Sequence, residues 1–158
     1  NRPGKRTRLI WRLGLLHHIE ALRASIDASY RLFQDDAGTR AHTLAFEWNQ
    51  KIGEKWVLSP FFRFYHQSQA DYYHVTLDGT GIEPNDERTG RSPYFSSDYR
   101  VSAFDAYTYG IKLAYFPTDS IGIDLSYERY EMHGQDRVTP GAAYARANVF
   151  TIGVNYSF

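Results

Sequence analysis

The sequence has no cysteine and only one methionine among its 158 residues. The absence of cysteine excludes disulfide scaffolds, thiolate metal sites and cysteine nucleophiles. No stretch approaches the roughly 18 consecutive apolar residues of a membrane-spanning helix, which excludes helical spanning. Acidic and basic residues balance at 18 each, so no net charge attracts the chain to nucleic acid, and we expect no nucleic-acid partner.

Aromatic residues are abundant, with 13 tyrosines and 10 phenylalanines. Both types favour half-buried strand surfaces, and amphipathic rings also favour membrane interfaces. Apolar and polar residues alternate with the period of two that is typical of strands, interrupted by turn residues. The alternation predicts seven strands, at about residues 8–16, 22–33, 42–49, 56–67, 103–116, 121–132 and 146–158.

The connections between these strands alternate in length. Residues 17–21, 51–55 and 117–120 form tight turns, and the other three connections are longer. The longest covers residues 68–100 and lacks periodicity, which would be unusual inside a compact soluble domain. Short turns on one rim and long loops on the other are typical of transmembrane barrels. We therefore predict a single all-β domain over residues 1–158, an antiparallel transmembrane up-and-down β-barrel with the long loop outside.

One face of the predicted strands is apolar and carries aromatic residues near its two ends. Lipid-facing aromatic girdles flank an aliphatic band in membrane barrels. The girdle predicted at the short turns comprises Trp48, Trp56 and Tyr115, and that at the loops comprises Tyr30, Phe64, Tyr107 and Tyr127. Charged residues on this face, such as Asp105, fall at the loop ends of strands. A soluble β-sandwich is the alternative, but it leaves the girdles unexplained.

The opposite face is charged, and it predicts the lining of a wet lumen, because a dry core could not hold so many ions. In an open pore its excess of basic residues would favour anions. A cross-strand lattice of ion pairs is the alternative interpretation. The predicted lumen residues are Arg8, Arg12, Arg23, Asp27, Arg31, Glu47, Arg63, Lys112, Asp124 and Glu128.

The last ten residues resemble the C-terminal signature of bacterial outer-membrane proteins, a final phenylalanine preceded by apolar residues at alternate positions. The residues that carry this resemblance are Phe150, Ile152, Val154, Tyr156 and Phe158. The resemblance implies recognition by the barrel-assembly machinery, a last strand that closes the barrel, and contact with outer-membrane lipid and lipopolysaccharide.

Most of the chain also resembles a family of outer-membrane proteins catalogued as a domain of unknown function. The resemblance rests on Tyr30-Arg31, Asp35-Asp36, Gly38, His42-Thr43, Glu47, Ser59-Pro60, Arg63, Tyr65, Ser68 and Asp71-Tyr72-Tyr73. It implies no established activity. Members are several times longer and match at their C-terminal end, so we expect this chain to be the C-terminal part of a larger barrel. Single-chain bacterial barrels have an even number of strands and at least eight of them, so the seven predicted strands favour the same interpretation.

These observations predict an outer-membrane channel or transport-related barrel wall with no catalysis, cofactor or metal of its own. One alternative is a structural sheath around a periplasmic or surface protein. Another is a barrel hydrolase that uses His42, Glu47 and Ser59. The acidic segment 78–87 has oxygen ligands that suit calcium, but it lacks the order of an EF-hand loop.

Overall fold

The computed structural model describes residues 5–76 and 94–157. They form one antiparallel sheet of seven strands, which confirms the all-β, up-and-down prediction. The strands are β1 (Arg8–Ile19), β2 (Ala24–Asp35), β3 (Arg40–Ile52), β4 (Trp56–Gln67), β5 (Phe104–Thr118), β6 (Ile121–Gly134) and β7 (Arg146–Tyr156). Within the described ranges three short 3₁₀ turns accompany them, at Glu20–Leu22, Tyr99–Val101 and Gly141–Ala143.

The strands lie in the sheet in chain order, each paired with its neighbours in sequence. In the described part of the chain the sheet is not closed, and β1 and β7 are its edges. Tight turns join β1 to β2, β3 to β4 and β5 to β6, whereas the other connections lie at the opposite end of the strands. Below, these two ends are called the turn end and the loop end. None of the described residues belongs to a helix that is long and apolar enough to cross a membrane.

Several strand bounds predicted from the alternation were wrong, because hydrogen-bonded pairing continues beyond the alternating residues. The first strand runs to Ile19, since His17 and His18 pair with Ile26 and Ser25 of β2. The first tight turn therefore lies at residues 20–23. Arg23 was expected on a strand of the lumen wall, but it lies in this turn with a φ of 50°.

Buried side chains concentrate at the loop end of the sheet. One apolar cluster comprises Ala37, Ala70 and Tyr72, with Val101 packed against it. Hydrogen bonds join the same connections, from the N–H of Asp71 to the carbonyl of Ala37 and from that of Ala70 to the carbonyl of Val101, both 2.9 Å long. The longer connections thus pack on one another as a small core, which the alternation of the strands did not predict.

Gly38 and Gly53 form a matched pair for measuring this packing. Both have a positive φ, 78° and 60°, which costs a residue with a Cβ roughly 1–2 kcal/mol. A Cβ on Gly38 would overlap the carboxylate of Asp71, whereas a Cβ on Gly53 would meet nothing within 4 Å. We expect Gly38→Ala to lower the free energy of unfolding by more than Gly53→Ala, in denaturant titrations of the folded protein. Equal losses in the free energy of unfolding would show that the carboxylate of Asp71 does not pack closely against the turn at Gly38.

Candidate functional site

The two faces of the sheet differ in both chemistry and exposure, and the more exposed face is the apolar one. Leu44, Ile111 and Leu125 are 52%, 43% and 53% exposed. On the opposite face, Ser59 and Ser126 are 1% and 8% exposed. A water-soluble sheet hides its apolar face and solvates its polar face. In this sheet the apolar face is the exposed one, and a broad exposed apolar surface is typical of a surface that contacts lipid or another protein.

Aliphatic and aromatic side chains form continuous rows across the apolar face. Leu58, Leu113, Leu125 and Ile152 lie directly opposite one another on β4 to β7. Nearer the loop end, a second row across β2 to β5 contains Tyr30, Leu44, Phe64 and Tyr107.

The residues predicted for the aromatic girdles are brought together only in part. The rings of Phe64 and Tyr107 are 5.1 Å apart, and those of Trp56 and Tyr115 stack at 4.3 Å near the turn end. Trp48 lies opposite Ile26, and Tyr127 lies opposite Ile111 and Phe150. Neither ring therefore belongs to the pair at the loop end or to the pair at the turn end.

The polar face contains a recess of about 310 Å³. Five of the residues predicted to line a lumen meet there, namely Arg12, Asp27, Glu47, Arg63 and Glu128. Each comes from a different strand, and the ring of Phe61 also contributes to the lining. Gly110 makes room for this ring, because a Cβ at that position would overlap Phe61 and the backbone of Tyr127.

The lining of the recess shows that the sheet curls around its polar face. Neighbouring strands are about 4.8 Å apart, so β1 and β6 would be about 24 Å apart in a flat sheet. One recess is nevertheless lined by residues from β1 through β6. Side chains converge on the concave side of a curved sheet, and polar-face residues such as Ser59 and Ser126 are less exposed than those of the apolar face. The polar face is therefore the concave one.

On the polar face, several charged residues lie directly opposite residues of the same sign. Arg12 lies directly opposite Arg31, and Asp27 lies directly opposite Glu47. Directly opposed like charges destabilise a sheet. No ion pair among the described residues includes a strand residue of the predicted lumen set. The side chain of Arg31 lies instead over the ring of Phe33, 5.7 Å from its centre. Such charges need water or a solute to stabilise them, not one another.

The remaining predicted lumen residues lie on the same face but outside the recess lining. Arg8 lies opposite Asp35 near the loop end. Lys112 lies between Ser59 and Ser126, and Asp124 lies opposite Gly153.

Arg23, which was expected in the same set, belongs to a charged cluster at the turn end. Its guanidinium donates to the carboxylate of Glu54 over 2.7 Å, and Lys51 donates to the same carboxylate over 3.3 Å. The hydrogen bond from Arg23, followed by that from Lys51, lowers the pKa of Glu54 below its usual value. The cluster therefore joins the first two tight turns, and Arg23 is removed from the polar wall.

A hydrolytic triad of His42, Glu47 and Ser59 is not assembled. His42 lies on the apolar face, where its Nδ1 is 2.6 Å from the hydroxyl of Tyr30. Glu47 and Ser59 are on the polar face, and the hydroxyl of Ser59 donates to Asn49 over 2.6 Å. Nucleophilic catalysis requires nucleophile and base within hydrogen-bond reach. Residues 5–76 and 94–157 contain no group of three or more side chains suited to hold a metal, and the acidic segment 78–87 lies outside these residues.

The residues of the C-terminal signature lie on an edge strand. Phe150, Ile152, Val154 and Tyr156 of β7 are all exposed on the apolar face, whereas Phe158 lies outside the described residues. Within residues 5–76 and 94–157, the backbone of β7 pairs with that of β6 alone. This strand is therefore an edge of the described sheet and presents an alternating apolar surface.

A polar row at the loop end of the apolar face was missed by the sequence reasoning. His42, His66, Asp105 and His133 lie directly opposite one another on β3 to β6. The Nδ1 of His66 is 2.6 Å from the carboxylate of Asp105, which also accepts a 2.6 Å hydrogen bond from Gln135. The sequence pointed to this row only through Asp105, a charged residue of the apolar face that was expected at the loop end of its strand. Only the register shows that three histidines share its row, which ends the apolar band.

A family model described as a protein of unknown function, DUF3570, matches residues 1–155. The chain belongs to this family. No curated protein matches it, and no solved structure does. The membership agrees with the resemblance to a domain-of-unknown-function family and brings no activity with it.

Proposed function

We propose that this DUF3570 chain forms part of the wall of a transmembrane β-barrel in the bacterial outer membrane, and that the barrel conducts polar solutes. The observation that carries the proposal is the contrast between the two faces of the sheet. The convex apolar face is exposed, and the concave face contains a charged recess. In a bilayer the exposed apolar face contacts lipid, and the charged face lines a water-filled lumen. Residue polarity then agrees with the surroundings on both faces.

Two further features support a membrane location. The polar row of His42, His66, Asp105 and His133 ends the apolar band at the loop end, where lipid headgroups and lipopolysaccharide would lie. β1 and β7 are the edges of the described sheet, and a sheet edge left unpaired in hydrocarbon is costly, because its backbone N–H and C=O groups lack partners. The proposal therefore requires that both edges pair with further strands. It also makes the exposed signature on β7 available to the barrel-assembly machinery.

The test of this function is the single-channel conductance of the purified full-length protein in a planar bilayer. Discrete current steps are the expected result. A protein that is folded and heat-modifiable but silent would contradict the channel. It would favour the sheath, in which the lumen holds a periplasmic or surface protein.

The charges of the recess are expected to set the ion preference of such a channel. The recess has two arginines against three carboxylates, so we expect a weak local preference for cations there, whereas the excess of basic residues on the whole polar face predicted a preference for anions. Arg63→Glu places a further negative charge in the path of the ion, and we expect a severalfold rise in the permeability ratio of potassium to chloride. Reversal potentials under a salt gradient measure this ratio.

Arg40→Glu is the matched control, because it makes the same charge change at an exposed site on the apolar face of β3. It should leave the permeability ratio nearly unchanged. If both variants shift the ratio equally, the charge acts through the overall field of the protein and not through the lumen wall.

A further inference from the structure

The segment 99–103, which leads into β5, is bound to the polar face at the loop end. Gln67, the last residue of β4, is on that face and is buried. Its side-chain amide donates to the carbonyl oxygens of Arg100 over 3.0 Å and Ser102 over 2.8 Å. The backbone N–H of Gln135 donates to the carbonyl of Ala103 over 2.8 Å. The segment is therefore attached both to β4 and to the connection that follows β6.

An aromatic cluster fills the space between this segment and the wall. Tyr99 from the segment and Tyr144 from the last connection pack on Phe104, Ala106 and Met132, which belong to the polar face of β5 and β6. The ring of Tyr144 is 6.0 Å from that of Tyr99 and 6.2 Å from that of Phe104. The concave face is thus covered by apolar rings at the loop end and left charged farther along the strands.

Ser102 and Gly134 show that this packing is close. Ser102 is fully buried, donates to the carbonyl of Tyr99 over 2.7 Å and lies 2.9 Å from the hydroxyl of Tyr144. A Cβ on Gly134 would overlap the ring of Tyr144. A glycine at the end of β6 therefore lets the ring lie directly against the strand.

A second contact joins the long connection to the last one. The hydroxyl of Tyr73 hydrogen-bonds with that of Thr139, which in turn donates to the carboxylate of Asp136. Burial raises the pKa of Asp136, but the hydrogen bonds from the Thr139 side chain and backbone and from Val138 outweigh it, so the pKa lies below its usual value. Because the folded-state pKa is lowered, the stability from this contact is present above the usual carboxyl range and is lost as the pH falls through the lowered pKa.

The cluster lies directly beside the charged recess. Along the polar face of β5, Ala106 of the cluster is followed by Thr108 of the recess lining. A solute that moves from the loop end into the recess would therefore pass the aromatic cluster first. The cluster occupies space on the concave side of the curved wall.

We infer that the segment 99–103 and Tyr144 form a constriction at the loop end, which sets the largest solute that can reach the charged recess. The inference rests on the proposed function, because a size limit has meaning only for a barrel that admits solutes. Two connections that pack inward on the wall would then set the size limit for solutes, and not the width of the barrel alone.

The test uses the full-length protein with the double substitution Gln67→Ala and Tyr144→Ala. The first removes both hydrogen bonds to the segment, and the second removes the ring between the segment and the wall. Single-channel conductance and the swelling of liposomes in sugars of increasing size are measured. We expect a higher unit conductance and an upward shift in the largest sugar that enters.

The matched control is Gln50→Ala with Tyr94→Ala. The amide of Gln50 also donates to two carbonyls, those of Leu22 at 2.8 Å and Lys51 at 3.1 Å, but at the turn end. Tyr94 is an exposed ring of the long connection. This control should leave both measurements unchanged. If the double variant does not fold, Gln67→Ala alone is compared with Gln50→Ala alone.

The outcomes separate the constriction from the channel. A conducting native protein whose double variant has the same conductance and size limit would overturn the constriction and leave the channel standing. A silent native protein whose double variant conducts would support the constriction as a complete block, although it would still contradict conduction by the native protein. If neither conducts although both are folded, the channel and the constriction fall together.

Discussion

Ile111→Arg is expected to lower the free energy of unfolding by about 2–4 kcal/mol, the cost of a charged lipid-facing side chain at the bilayer midplane of a barrel. Ile111 is seven residues from each end of β5, on the apolar face, and is 43% exposed. If water covered this face, arginine at so exposed a position would change the stability by only about 0.5 kcal/mol. The substitution therefore separates a membrane-facing sheet from a solvated one.

Two controls complete the measurement, which is a denaturant titration of the full-length protein in lipid vesicles. Ile111→Ala removes the side chain without adding a charge, so the difference between the two variants isolates the charge. Val138→Arg adds the same charge at an exposed apolar residue of the last connection, outside the proposed membrane band, and should be nearly neutral. A loss for Ile111→Arg no larger than that for Val138→Arg would refute the lipid-facing assignment.

Asp35→Ala should also cost about 2–6 kcal/mol, because Asp35 organises the turn between β2 and β3. Its side chain is fully buried, and its Oδ1 accepts the N–H groups of Ala37 and Thr39, each over 3.0 Å. Its other oxygen pairs with Arg6. Alanine would leave two buried donors without an acceptor, at about 1–3 kcal/mol for each unsatisfied group. Arg6 is partly exposed, so it can turn towards water when its partner is removed.

Asp36 provides the matched control for this prediction. It is exposed and its carboxylate accepts the N–H of Thr7 over 2.9 Å. Asp36→Ala should cost only about 0.5–1.5 kcal/mol, the usual net value of one hydrogen bond. Asp35→Asn keeps an oxygen acceptor and should recover part of the loss. Similar unfolding midpoints for Asp35→Ala and Asp36→Ala would show that the buried carboxylate does not hold the turn.

The sheet could be predicted from the sequence because alternation is a local property. Residues such as Leu113 and Lys112 fall on opposite faces of any strand, whatever the rest of the chain does. The tight turns and the longer connections were also visible in the composition of their residues. The strand ends were less accurate, as at His17 and His18, because pairing with the next strand extends a strand beyond its own pattern.

The candidate site could be predicted only as a set of charged residues on one face. Which of them meet depends on register and curvature, and both arise from contacts between distant parts of the chain. Arg12 and Glu128 are 116 positions apart in the sequence, yet they line one recess. Arg23 was misplaced for a related reason, because β2 begins two residues later than predicted, which places Arg23 in the turn and next to Glu54.

The sequence by itself determined the seven strands, their antiparallel order and the division of their side chains into an apolar and a charged face. These follow from the period of two and from the short connections, which leave neighbouring strands few alternatives. The tertiary structure alone decided that the charged face is concave, that like charges such as Asp27 and Glu47 oppose each other, and that Tyr99 and Tyr144 fold inward over it. The physical reason is that curvature and loop packing depend on long-range contacts, which no local pattern encodes.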